Sequence, residues 1–391
     1  MAACTRRIAS VTSLTDTFGY RRAPRRIRCL AHALSARTPN PHQASKAVTK
    51  LVFITQQVDP RHPALAATVP KISALADLVD EVVVLADGAV PGVLPENCRV
   101  HTFRASHKAL RGVRFEAALA RELTSLRGGA VVAHMCPIYA VLAAPLVRPL
   151  RVPLVLWFTH WRASRLLRAA ERASTAVTSV DYRSFPLPSR KLRAIGHGIE
   201  LREFPCSPPR DGPGTRLLAL GRYSTAKGLD VAVAAVPLAG DDVELHINGP
   251  ALSEEELAHR SELEQLVAEL GLGGRVTIGD PVPRVEIPAL FATHDALVNN
   301  MRPGAPDKVV YEAGAACLPV LASNPIFDDF LDPEQRFTRW DPGALAERIR
   351  QLSGMSADGR AALGRRLHER VAAGHSVQSW ARGILDAAGL S

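Results

Sequence analysis

Short apolar runs without charge alternate with longer segments of helical periodicity along nearly the whole chain, and that alternation restricts it to a parallel-sheet α/β architecture. The first run, Leu51-Val52-Phe53-Ile54-Thr55, is followed by the polar stretch QQVDPRHP, a helical segment over 66–79 and a second strand over 81–85, which together read as a βαβ unit. The pattern predicts strands at 99–103, 130–134, 154–159, 176–179 and 192–195, with helices at 110–126, 137–147 and 164–172 between them. It then breaks at 202–215, REFPCSPPRDGPGT, where four prolines crowd beside glycines and charges as in a linker.

A second series follows, with strands at 216–220, 243–248, 275–278, 296–299 and 319–322. Helices are expected at 227–235, 253–270, 285–292 and 307–316, and a final helical region at 342–374. The 391 residues exceed what one core usually organises, and 47% hydrophobic content can fill two. The expectation is two Rossmann-like doubly wound domains, 49–201 and 216–375, facing a central cleft. Ligands of such sheets bind beyond the carboxyl ends of the strands.

Composition removes some functions. Aromatic residues are 5% of the chain, too few for the stacking platforms of single-stranded nucleic-acid binders, and no nucleic-acid motif is present, so no nucleic-acid partner is expected. The six cysteines (4, 29, 98, 136, 206 and 317) lie far apart without metal-ligand spacing, so neither a metal site nor a disulfide framework is expected and a reducing cytoplasm fits. Residues 128–147 hold no charged side chain across twenty positions, but Gly128-Gly129, His134 and Pro137 divide them into a strand and a helix rather than a membrane span.

Charge is uneven. Residues 1–200 carry 29 Lys and Arg against 12 Asp and Glu, whereas 201–391 carry 19 against 26. The basic half fits an anionic neighbour such as a membrane surface, a phosphorylated or carboxylated acceptor, or nucleic acid, unless it reflects Arg-rich coding alone. Nine basic residues fall within the first 46, with Asp16 the one acid and no apolar stretch of a secretory signal. Residues 1–48 are set aside as a disordered extension; a transit segment and an upstream start codon share that pattern.

Two windows carry chemistry. In Gly221-Arg222-Tyr223-Ser224-Thr225-Ala226-Lys227-Gly228, a glycine admits close approach, and two cations beside a helix start make an anion site. Alone, the same residues are equally well surface cations at a strand–helix turn. In Asp307-Lys308-Val309-Val310-Tyr311-Glu312-Ala313-Gly314-Ala315-Ala316-Cys317-Leu318-Pro319-Val320, the acid Glu312 stands among apolar neighbours near a helix start, where a carboxylate accepts hydrogen bonds from a ribose diol.

Together these windows resemble the retaining GT-B glycosyltransferases of family 4, which share the glycosyltransferase group 1 domain, and the resemblance spans most of residues 50–390. It implies that Arg222 and Lys227 bind the donor diphosphate and act in catalysis, and that Glu312 binds the ribose. Gly196-His197-Gly198-Ile199-Glu200 with Phe204 looks like the interdomain element, and Asn248-Gly249-Pro250 like the glycine turn. Gly279 to Val282 resembles the loop that meets the nucleotide base. By the same resemblance His160 is a cleft histidine near sugar and acceptor, although a packed histidine beside Trp157 and Trp161 reads the same. The N-terminal domain then binds acceptor, the C-terminal one nucleotide sugar, and the helix of 376–391 crosses back onto the first domain.

Departures are as informative. Gly304 stands where the family often carries a second glutamate, eight positions before the ribose carboxylate, and that contact to the transferred sugar is missing here. Asp307 and Lys308 are candidates to take over sugar or phosphate contacts. Gln56-Gln57-Val58-Asp59-Pro60 replaces the usual glycine pair after the first strand. The resemblance implies transfer of a sugar from a UDP- or GDP-sugar to a hydroxyl acceptor (glycan, lipid-linked or small molecule) with retention and without a metal cofactor, in a cytoplasmic protein with peripheral contact to anionic membrane. The alternatives are an epimerase or pseudo-glycosyltransferase on the same fold, or a non-catalytic nucleotide-sugar-binding scaffold.

Overall fold

The computed structural model describes residues 50–62, 65–304 and 306–390, so the basic extension expected over 1–48 lies outside the described residues. The first sheet comprises seven parallel strands: β1 (Lys50–Val58), β2 (Glu81–Ala89), β3 (Cys98–Thr102), β4 (Ala130–His134), β5 (Leu154–Trp157), β6 (Ala176–Ser179) and β7 (Leu192–Ala194). Their order is β3-β2-β1-β4-β5-β6-β7. Helices α1 (Thr68–Ala76), α2 (Lys108–Leu123), α3 (Pro137–Val147) and α4 (Arg165–Ala173) connect them. Every residue of β4, β5 and β6 is buried, which is why these strands read as continuous apolar runs.

The second sheet holds β8 (Thr215–Leu220), β9 (Val243–Asn248), β10 (Val276–Gly279), β11 (Ala296–Asn299) and β12 (Val320–Ala322), parallel and ordered β10-β9-β8-β11-β12. Its helices are α5 (Leu229–Ala239), α6 (Glu254–Glu269), α7 (Ile287–Ala292), α8 (Lys308–Ala315), α9 (Pro342–Ser353) and α10 (Ala357–Gly374), followed by α11 (Val377–Ala388). Local chemistry sets several starts. Ser253 accepts the Glu256 amide N–H ahead of a first turn bearing Glu254, Glu255 and Glu256, which suits the positive end of the α6 dipole.

Two differences from the sequence reading have simple causes. The helical region expected over 342–374 is two helices, because Ser356 caps a new start by accepting the Gly359 amide. Strand β1 continues through Gln56 and Gln57 to Val58, since β2 supplies parallel partners as far as Val58 opposite Ala89. The apolar stretch 128–147 splits into β4 and α3, and among the described residues no helix is long and apolar enough to cross a membrane.

The chain passes between the sheets twice at one place. Ile199 N–H donates to the His375 carbonyl at 2.7 Å and Val377 N–H to the Ile199 carbonyl at 2.9 Å, so the 196–199 segment is paired with the α10–α11 junction. From there α11 packs on α1, β5 and β6, and Trp380 is wholly buried.

Candidate functional site

In an open parallel sheet the crevice opens where neighbouring strands send their connections in opposite directions. In the second sheet that point lies between β8 and β11, which are neighbours although two strands and three α-helices separate them in sequence. The loop leaving β8 carries Gly221, Arg222 and Lys227; the one leaving β11 carries Asn299, Asn300 and Asp307. The two windows found in the sequence therefore meet at one sheet edge.

Lys227 Nζ forms an ion pair with Asp307 Oδ2, which also accepts a hydrogen bond from Asn299 Nδ2 at 2.8 Å. Asp307 precedes α8 without capping it, its carboxylate being turned to the lysine. Arg222 is mostly exposed and pairs through Nε with the buried Glu256 at 3.3 Å. Gly249, in the turn after β9, lies so close to the Gly221 carbonyl that a Cβ would collide with it, so glycine there lets the Gly221–Arg222 backbone sit down on the sheet edge. Gly279 closes β10, and its carbonyl accepts the Tyr223 hydroxyl at 2.6 Å. No side chain caps α5, whose first amides open beside Lys227. Lys227 and the uncapped start of α5 thus stand together at this crevice, a combination that suits an anion, with Arg222 on the same loop.

Glu312 is buried and bound twice: Arg284 Nη1 lies 2.8 Å and Lys308 Nζ 2.9 Å from its Oε1. Burial raises its carboxyl pKa, but Lys308 and Arg284 outweigh that and hold it below the ordinary value. Arg284 also reaches Glu203 at 2.6 Å, so one guanidinium joins the start of the linker to the helix of Glu312. Lys308, a candidate for phosphate or sugar contact, is here engaged by Glu312. Val282 is partly buried against the apolar cluster that contains Phe204 and Phe291.

Across the cleft, His160 follows β5 on an exposed loop; its Nδ1 accepts the Arg162 amide at 2.9 Å and its ring stacks on Trp161 at 5.4 Å. Desolvation and Arg162 lower its pKa. It is therefore not packed in the core beside Trp157. The buried histidine there is His134, stacked on Trp157 at 4.9 Å. Trp161 itself lies against Gly304 and Arg302 of the second sheet's loop.

The sequence reading missed several of these groups. Lys71 is buried with Nζ 3.8 Å from the Trp157 ring centroid and 5.0 Å from that of Trp380, and burial followed by Lys308 pulls its pKa well below the ordinary lysine value. An isolated lysine in a helix gives no sign of this. Cys206 and Cys317, 111 positions apart, form a disulfide that fastens the linker to the turn after α8, with His368 Nδ1 3.4 Å from Cys206 Sγ. The expectation of unpaired cysteines is corrected, since spacing along the chain cannot report a tertiary contact, and the compartment argument drawn from it loses its support.

The protein has the GT-B fold. Superposition on HepE of Anabaena in complex with UDP gives a TM-score of 0.69 at 18% identity, covering 86% of this chain and 99% of that one. Sucrose-phosphate synthase from Thermosynechococcus elongatus gives 0.65 at 18% identity (86% and 98% covered), and a glycosyltransferase from Rickettsia africae 0.68 at 13% (87% and 98%). Residues 214–354 match the family model described as Glycosyl transferases group 1, so the second half carries that group's pattern. Comparison with curated protein sequences gives no match.

Proposed function

We propose that the protein is a retaining glycosyltransferase of the family 4 kind that moves a sugar from a nucleoside diphosphate sugar, UDP- or GDP-linked, to a hydroxyl acceptor. The observation that carries this reading is the meeting of Lys227 and Asp307 at the β8/β11 crevice, with Arg222 on the same loop as Lys227 and Glu312 on the helix that follows Asp307. HepE has also been solved with UDP-glucose, in line with a UDP-sugar donor. Charge develops on the departing diphosphate, and Arg222, Lys227 and the amides opening α5 stabilise it electrostatically, so no divalent cation is required in this scheme. Glu312 receives the ribose hydroxyls. The leaving phosphate assists removal of the acceptor proton, and His160 lies on the acceptor side.

The test is incubation with UDP-glucose, UDP-galactose and GDP-mannose and a set of hydroxyl acceptors, following nucleotide release and the anomeric configuration of the product by NMR. Acceptor-dependent release with a retained anomeric centre supports the proposal. Sugar conversion without acceptor would favour an epimerase, and binding without turnover a scaffold.

Peripheral membrane contact has its own support. The outer face of α2 exposes Val113 (62%) and Leu110 (43%) beside Lys108, Arg114 and Arg121. Binding to phosphatidylglycerol vesicles that weakens from low to high salt agrees with this; no binding at low salt removes it.

A further inference from the structure

The seam where the two sheets' loops meet carries more positive charge than its neighbours balance. Trp161 lies between guanidinium groups: Arg302 Cζ is 4.1 Å and Arg162 Cζ 5.1 Å from its ring centroid. Arg302 is anchored by its backbone, its amide donating to the Ala226 carbonyl at 2.8 Å, one residue before Lys227. Arg339 converges on the same carbonyl with Nη2 at 3.5 Å and rests on Trp340 with Cζ 4.0 Å from the ring centroid. Among the described residues none of these three arginines forms an ion pair, and the Arg162 and Arg302 guanidinium groups make no hydrogen bond. Burial and then Arg302 pull Arg339 below its ordinary pKa, with Asp230 acting against them.

The same seam excludes an acid. Gly304 has φ +116°, and a Cβ on it would lie 2.9 Å from Trp161 Cβ, so a side chain there meets both backbone strain and the base of the Trp161 side chain. A position where resemblance calls for a carboxylate is thus glycine, and arginines with unused planar donors stand beside it. Such donors match the oxygens of a carboxylate or phosphate, and an aromatic face fixes the guanidinium plane for that match.

We infer that Arg302 and Arg162, held against Trp161, with Arg339 beside Arg302, form an oxyanion subsite that selects a carboxylate- or phosphate-bearing sugar substrate. This rests on the functional reading above. The group sits on either the transferred sugar or the acceptor, and the experiment separates the two.

Calorimetry on the full-length protein compares UDP-glucose with UDP-glucuronate, and, on UDP-saturated protein, glucose with glucose 6-phosphate. If GDP rather than UDP is the nucleotide bound, GDP-mannose with GDP-mannuronate and GDP-saturated protein take their place. The anionic member of at least one pair binds about ten-fold or more tightly, and Arg302→Gln removes that preference. Preference in the first pair places the anion on the donor, in the second on the acceptor. Arg162→Gln, on the exposed loop, is the second variant and also narrows the gap. Equal binding within both pairs, or a preference that survives both substitutions, overturns the inference. Failure to bind any nucleoside diphosphate sinks the functional reading instead.

Discussion

Lys227 and Asp307, 80 residues apart, form an ion pair across the β8/β11 crevice, with Asn299 holding the same carboxylate oxygen. Both side chains are largely shielded from solvent, at 14% and 17% exposure. In this state the lysine proposed to meet a diphosphate is held by a carboxylate, which an incoming dianion would have to displace.

The first prediction follows from that competition. Asp307→Asn releases the lysine and tightens nucleoside diphosphate binding by about three- to ten-fold, while Lys227→Ala weakens it by more than ten-fold, both measured by calorimetry. Weaker binding in Asp307→Asn would mean the aspartate positions the lysine instead of competing for it.

Glu312 gives a pH-dependent prediction. Its folded carboxyl lies below the ordinary value of 4.5. Its contribution to stability is therefore complete above the unfolded pKa and disappears as pH falls through the lower folded value. Glu312→Gln leaves Arg284 and Lys308 without their buried anion and costs about 3–5 kcal/mol at neutral pH. Thermal melts of the two proteins should converge as the pH falls below 4.5; a gap independent of pH would contradict the ion-pair account.

The disulfide allows a direct stability test. Closing a loop of 111 residues between Cys206 and Cys317 constrains the unfolded chain, by about 4–5 kcal/mol in the chain-entropy description. Cys206→Ser should lower Tm by on the order of 5–10 °C and abolish the effect of added reductant. A wild-type Tm that ignores reductant would show that the bond does not stabilise the fold.

At Gly304 the expectation is that restoring the family's carboxylate fails. Gly304→Glu and Gly304→Ala both place a Cβ at positive φ against Trp161, costing about 1–3 kcal/mol. Trp161→Gly, which removes the Cβ that the new side chain would meet, should recover only the steric part, which a double-mutant thermal melt resolves; full recovery would mean the backbone is unstrained.

Much of this fold was legible in the chain because buried parallel strands leave a one-dimensional trace: 130–134, 176–179, 243–248 and 296–299 have the same bounds in sequence and structure. The two windows of the candidate site, Gly221 to Lys227 and Asp307 to Glu312, stood out in the chain because their residues cluster locally. Their partners did not. Glu256, Arg284 and Asn299 lie on other elements, and nothing in their own surroundings marks them. The same holds for the Trp161–Gly304 seam, visible in sequence only as a missing glutamate.

The most direct test of the central claim is calorimetric titration of the protein with UDP and GDP, alongside Arg222→Ala. The account predicts binding of one nucleotide, weakened about ten-fold or more when the Arg222 guanidinium is removed. No binding of either, or binding unchanged in Arg222→Ala, would contradict a diphosphate site at the β8/β11 crevice.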